Sequence, residues 1–235
     1  AAIRASQLGL KTACIEKDNV GGICLNWGCI PTKALLKSAE VFYLIKNVEK
    51  YGISAENIKF DIKKIIKRSR DVSSKLTNGV NYLLKKNKVD LIKGHGKING
   101  PNKLIVEQKN NIIELKAKDI IIATGARSRN LDNIQSDGVN IWNYKDAMLP
   151  DKLPSSILII GSGAIGVEFA SFYNAFKVDV TIVELQNRIL PVEDDEISTF
   201  AEKIFKKSGI SIYCNSRIED IKINKTNIYA NIVSN

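Results

Sequence analysis

The sequence predicts an α/β fold made of two units with parallel sheets, the first carrying helical and β-meander insertions. Three observations point there. The stretch "SILIIGSGAIGVEFASFYNAFKVDVTIVE" sets a glycine-rich turn and a helix between two apolar strands, the order of a βαβ unit. The opening "AAIRASQLGLKTACIEK" reads as the end of a helix running into a strand that closes on an acid, the back half of the same kind of unit. Between them lie helical stripes and a group of short strands.

Taken in order, "KTACIEK" alternates with β-branched residues and predicts a buried parallel strand with Glu16 at its carboxyl end. "KALLKSAEVFYLIKNV" has helical apolar spacing, and residues 60 to 84 line up Ile62, Ile65, Ile66, Val72, Leu76, Val80, Leu83 and Leu84 on one stripe. Two long helices are expected there. "VDLIKGHGKI", "KLIVEQ" and "IIELKA" predict short strands joined by "NGPN" and "KNN" turns, and "DIIIATG" a fully buried strand. The pattern then breaks over residues 136 to 155, where "LPDKLP" carries two of the five prolines. A boundary is expected there, dividing the chain into domains 1–145 and 146–235. The βαβ unit follows, then a helix over 195 to 207 and further strands.

Composition narrows the function. With 235 residues and 44% apolar content the chain can fill one large or two medium cores. No apolar run approaches the ~20 residues of a membrane-spanning helix. The net charge of +10 comes from lysines spread along helical faces, without arginine clusters or interleaved aromatics, so neither nucleic acid nor membrane is an expected partner. Four cysteines in no regular framework do not make a secreted disulfide scaffold. The chain opens without methionine in what reads as a helix end, so an upstream segment is expected to be missing and a targeting peptide stays open.

Gly161, Gly163 and Gly166 follow an apolar strand and open a helix, and the next strand ends in Glu184. That context makes the glycine pattern a dinucleotide fingerprint of a Rossmann-like fold. Gly161 permits the tight turn, Gly163 lets backbone approach a pyrophosphate, and Gly166 lets helix pack on strand; Ser162, Ala164 and Ile165 complete the turn. The helix N-terminus attracts phosphate. Glu184 at the strand end suits a ribose hydroxyl and repels a ribose phosphate, favouring NAD over NADP, although Arg188 nearby softens that preference.

"GGICLNWGCIPTKALL" places Cys24 and Cys29 with four residues between them. Zinc is not expected, because Cys14 lies in a strand, Cys214 is distant and His95 is the only histidine. In a regular helix the two Cα atoms would stand ~7.5 Å apart along the axis, more than a disulfide usually spans. A bridge therefore needs a distorted helix, and Gly28 and Pro31 supply the means. So small a loop stabilises little, which points to reversible reduction, with Lys33 just beyond to favour a thiolate or an anionic cofactor.

These residues resemble the flavoprotein disulfide reductases, the pyridine-nucleotide disulfide oxidoreductases, and the "CLNWGCIPTKALL" wording is most similar to the lipoamide branch. The likeness extends through "CIEK", "GHGKI", "ATGAR", "IIGSGAIGVEFA" and "VELQNRILPVEDDEIS". It implies two Rossmann-like dinucleotide-binding domains, for FAD and NAD. By resemblance Glu16, with Lys17 beside it, binds the FAD ribose; Gly21 and Gly22 pass its phosphates; Gly96 lies by the adenine; and Thr124, Gly125 and Ala126 close over the cofactor. Cys24 is then the thiol that exchanges with dihydrolipoamide, and Cys29 the thiolate against the flavin. Lys33 lies near the flavin's reactive nitrogen, paired with Glu168. The implied reaction oxidises protein-bound dihydrolipoamide, with NAD as acceptor. The implied partners are a second subunit and the lipoyl domains of 2-oxoacid dehydrogenase or glycine-cleavage complexes, in a bacterial cytoplasm or a mitochondrial matrix.

Three family parts are not found: the first FAD glycine fingerprint, the aspartate segment completing the flavin site, and the C-terminal interface domain with its His-Glu pair. An internal fragment of a homodimer roughly twice as long is therefore expected, one that alone neither holds FAD tightly nor turns over. His95 sits in the "GHG" match and cannot replace the missing base. A glutathione- or mercuric-type reductase and a catalytically inactive nucleotide-binding fragment are the alternatives.

Overall fold

The computed structural model describes residues 1–131, 134–224 and 227–234. In chain order the elements are α1 (Ala2–Gln7), β1 (Ala13–Glu16), α2 (Gly22–Trp27), α3 (Cys29–Lys46), a 3-10 turn (Val48–Tyr51), α4 (Ile62–Lys86) and β2 (Asp90–Lys93). Then come β3 (His95–Ile98), β4 (Lys103–Glu107), β5 (Ile112–Lys116), α5 (Tyr144–Met148), β6 (Ser156–Ile160) and α6 (Ala164–Ala175). The chain continues with β7 (Asp179–Val183), α7 (Asp195–Lys207), β8 (Ser211–Tyr213), β9 (Ser216–Ile223) and β10 (Ile228–Ser234). The chain forms two compact units, one of residues Ala1–Ile30 and Arg70–Arg127, the other of Pro31–Ser69 and Ser128–Asn235. Of the expected second domain, residues 225, 226 and 235 lie outside the described residues.

In the first unit β1 and β2 pair in parallel, Ala13 opposite Asp90 and Glu16 opposite Lys93. Val20, Leu84 and Val89 are buried beside this pair, with Ala2, Ile3, Cys14, Val80 and Leu91 packed against them. β1 is half-buried rather than buried, because one strand partner covers it instead of two. The meander β3-β4-β5 is antiparallel and places Val106 fully out of solvent. Gly94, at φ +151, admits no side chain, since a Cβ there would meet Glu107 O and Val106 Cγ1 at 2.6 Å.

The expected stripe on α4 is partly wrong. Leu84 is buried, but Leu76 and Leu83 are more than 40% exposed, whereas Ser69 and Ser73 are fully buried. The buried positions therefore carry small side chains as well as Leu84, and Leu76 and Leu83 face outward. "DIIIATG" is not a strand: residues 120–130 carry no regular structure, and Ile121 and Ile122 are 72% and 70% exposed. Strand geometry needs a ladder, and none of the described strands pairs with this run.

In the second unit β6, β7 and β8 form a parallel sheet in that order, and α6 crosses over from β6 to β7. The α6 face carrying Phe169, Phe172 and Tyr173 is buried, as are Val180, Ile182 and Val183 of β7. Phe176 stacks on Phe42, ring centroids 5.2 Å apart, and meets Phe60 at 4.8 Å. Tyr173 donates from its buried hydroxyl to Ala147 O at 2.7 Å, and burial raises that phenol far above its ordinary value. α5, not anticipated from the sequence, starts at a capping box in which Asn143 and Asp146 each accept the other's backbone amide. β9 and β10 pair antiparallel with a register irregularity at Tyr229/Asn231.

Candidate functional site

The thiol segment in the first unit is a broken helix. α2 ends at Trp27 and α3 begins at Cys29, with Gly28 between them at φ −138 and ψ −120. A Cβ on Gly28 would stand 3.1 Å from Cys24 Cα and Ile23 O, so the chain folds back tightly over the turn that carries Cys24. Cys24 and Cys29 are thiols here, both exposed. Cys14 and Cys214 are half-buried. Burial pushes the Cys14 thiol up, with Glu16 adding to the effect, and burial followed by Glu202 and Glu184 does the same to Cys214. Of the four sulfurs, the exposed ones are those that share the broken helix.

Asn26 holds this segment in shape and was overlooked at the sequence level. It is buried, and its Nδ2 donates to Val20 O at 3.0 Å and Gly22 O at 2.9 Å, while its Oδ1 accepts from Thr77 Oγ1 at 3.0 Å. The signal for it was an amide side chain inside an otherwise apolar helical turn, which needs partners when buried. Gly21 and Gly22 just before it take φ +103 and +69, the left-handed region that favours glycine.

The other predicted residues of this unit are dispersed along it. Glu16 Oε1 accepts from the Asp18 amide at 2.8 Å, and its neighbour Lys17 is exposed. Gly96 lies in β3, where a Cβ would meet Ile15 Cγ2 at 3.3 Å. Thr124, Gly125 and Ala126 are exposed, with Gly125 at φ +76. His95 Nδ1 approaches Glu107 Oε2 at 4.0 Å on the meander, and Glu107 is held below the usual carboxylate range by hydrogen bonding from Lys97.

In the second unit the glycine turn joins β6 to α6. Gly161 takes φ +95, and a Cβ on Gly166 would lie 2.1 Å from Gly161 O, so α6 and the turn touch backbone to backbone. Gly163 has open space at its Cβ position and caps α6 without a side-chain bond, leaving the first amides of a twelve-residue helix for a ligand. Ala164 and Ile165 begin the helix, and Ile165 is 63% exposed.

Glu184 reaches this turn from the end of β7. Its Oε2 accepts from the Ser162 amide at 2.8 Å and the Ser162 hydroxyl at 2.6 Å, and its Oε1 from the Gln186 amide at 2.8 Å. Burial alone would raise the carboxyl, but these bonds outweigh it and hold Glu184 below its ordinary value. Arg188 is turned to its own loop: Nη1 pairs with Asp195 at 2.6 Å and Nη2 donates to Pro191 O at 3.2 Å.

Lys33 and Glu168 are brought together, Nζ to Oε1 at 2.5 Å. Glu168 projects from the second turn of α6, and Lys33 follows Cys29 by one turn of α3. Among the described residues, no group of histidine, cysteine or acidic side chains could hold a metal ion, and no helix is long and apolar enough to cross a membrane.

The chain is 51% identical over 233 residues to a dihydrolipoyl dehydrogenase of Zymomonas mobilis, covering 99% of the chain and 50% of the relative. A dihydrolipoyl dehydrogenase of Rhizobium etli is 46% identical, with coverage of 99% and 52%. The structure of the HOCl-induced flavoprotein disulfide reductase RclA from Escherichia coli superposes with a TM-score of 0.82 at 28% identity, over 98% of this chain and 49% of that one. The chain thus spans about half the length of these relatives. The pattern of pyridine nucleotide-disulphide oxidoreductases matches residues 1–234, and the chain belongs to that family.

Proposed function

We propose that this chain is part of a dihydrolipoyl dehydrogenase, which oxidises protein-bound dihydrolipoamide to lipoamide with NAD as acceptor through a Cys24–Cys29 redox disulfide and FAD. The observation that carries this reading is the pair of exposed thiols on either side of the Gly28 break, in a chain 51% identical to an enzyme of that name. Residues 1–145 are assigned to FAD and 146–235 to NAD.

The residues present fit both groups. For the dinucleotide, Gly163 leaves open space beside the uncapped amides of α6, and Glu184 stays ionised as a ribose acceptor. Arg188 commits both Nη atoms to its own loop, Nη1 to Asp195 and Nη2 to Pro191 O, which favours NAD. For the flavin, Glu16 keeps Oε2 without a protein donor among the described residues, and Gly22 and Gly125 combine left-handed backbone with open space. Lys17, Gly21, Gly96, Thr124 and Ala126 are assigned to the same cofactor.

When bound, FAD carries the electron pair between the dithiol and the nicotinamide. The protein's part is to let Cys24 exchange with the substrate dithiol, to present Cys29, and to hold the Lys33 ammonium, oriented by Glu168, as a fixed positive charge. Lipoyl-bearing proteins of 2-oxoacid dehydrogenase or glycine-cleavage complexes and a second subunit are the proposed partners.

The test is the visible spectrum of the complete protein with one equivalent of dihydrolipoamide, followed by NAD or NADP. A flavin spectrum that bleaches with the dithiol and recovers with NAD but not NADP is expected, and Cys29→Ser should abolish NADH formation. A flavin unmoved by the dithiol would overturn the reading. The likeness to RclA, at 28% identity, fits only weakly the alternative of a reductase of another disulfide, and a panel including glutathione disulfide and mercuric ion separates the two. The presence of Cys24, Cys29 and Lys33 together argues against an inactive scaffold.

A further inference from the structure

Helix α4 directs two side chains at the thiol segment. The Arg70 guanidinium lies over the Trp27 ring, 4.3 Å from its centroid, and Thr77 donates to Asn26 at 3.0 Å. Seven residues is close to two helical turns, so both project from one face of α4, ~10.5 Å apart along its axis. Their targets are adjacent in sequence. Asn26 and Trp27 are the last two residues of α2, directly before the Gly28 break that separates Cys24 from Cys29. Asn26 carries the restraint back to Val20 and Gly22, so the α2 side of the break is fixed at both ends.

A guanidinium that served only to solvate the surface would stand in water. Arg70 instead gives up part of its hydration, and burial draws its pKa down. A planar cation on an indole face is a geometry that offsets part of that loss.

We propose that Arg70 is a positioning residue for the Cys24/Cys29 pair. It holds Trp27, and through Trp27 the end of α2, in the orientation from which the two sulfurs close on each other. The inference rests on the reading of Cys24 and Cys29 as a redox pair. Closure is a two-electron exchange: the two thiols lose two protons and two electrons to form one S–S bond, and a cyclic disulfide such as oxidised dithiothreitol gains them as its own bond opens.

The experiment equilibrates the wild-type protein, Arg70→Gln, Arg70→Lys, Trp27→Leu and the Arg70→Gln/Trp27→Leu double variant in mixtures of reduced and oxidised dithiothreitol. Alkylation and mass spectrometry then count the disulfide. Arg70→Gln should shift the equilibrium roughly fivefold toward the dithiol, the range of one cation–π contact. Trp27→Leu should shift it similarly, the double variant no further, and Arg70→Lys should recover part of the loss. Melting of the dithiol forms, run in parallel, reports packing alone. If Arg70→Gln lowers the melting temperature but leaves the equilibrium where the wild type has it, Arg70 is a packing residue and the proposal is wrong. If the wild type never closes the disulfide, the redox-pair reading fails and takes the proposal with it.

Discussion

Glu184 shows how a single buried carboxylate is kept charged. Its bonds from Ser162 and Gln186 pull the folded pKa below the ordinary 4.5, so as pH falls the unfolded chain takes up the proton first. The stability that Glu184 contributes is therefore complete above about that value and disappears as pH drops through the lower folded value. Glu184→Gln should cost about 2 kcal/mol at neutral pH, and the cost should shrink in the acid range. Urea unfolding at several pH values checks this, and a difference that does not vary with pH would mean that the charge contributes nothing. The identity of Glu184 was legible in the sequence because it ends an apolar strand after a glycine turn. Its bonds from Ser162 were not, since a serine between two glycines has no periodicity to reveal where its hydroxyl points.

The glycine turn separates two demands that sequence alone merges. Gly166→Ala puts a methyl 2.1 Å from the Gly161 carbonyl, against backbone that has no room to yield, and should cost about 3 kcal/mol. Gly163→Ala meets no atom within 4 Å; it should melt like the wild type yet weaken NAD binding, because the methyl occupies space a pyrophosphate needs. Thermal melting and NAD titration of the two variants distinguish folding from binding. Local patterns also decided which elements could be anticipated. β6, α6 and β7 follow from apolar runs and a glycine turn read within a few residues, and the helix expected over 195 to 207 is α7, which the structure caps with Asp194. α5 escaped notice although Asn143 and Asp146 have the spacing of a capping box, because its five residues are too few for a helical stripe. "DIIIATG" failed for the opposite reason: its composition is strand-like, but pairing depends on backbone far away in sequence.

At the scale of the whole molecule, chain order and packing part company. Phe42 and Phe60 come from the first half of the sequence, yet their rings close over Phe176, which is 4% exposed. A fragment of residues 146–235 keeps the entire βαβ unit but loses that cover. It should bind a hydrophobic dye strongly and melt with low cooperativity, since each uncovered phenylalanine gives up about 1.5–3 kcal/mol. Dye fluorescence on the isolated fragment checks this, and a dye-silent, cooperatively melting fragment would show that the unit stands without the rings. Lys46 lies over the Phe42 ring, 4.1 Å from its centroid. Lys46 ends α3 and Lys177 follows α6, where helix ends favour cations. The placement of the four sulfurs has a protective consequence as well. An oxidant arriving from solvent meets Cys24 and Cys29 first, and a sulfenic acid formed on one has the other five residues away to condense with, a lesion that thiols can undo. Cys14 and Cys214, half-buried and without so near a neighbour in sequence, are less open to that first encounter.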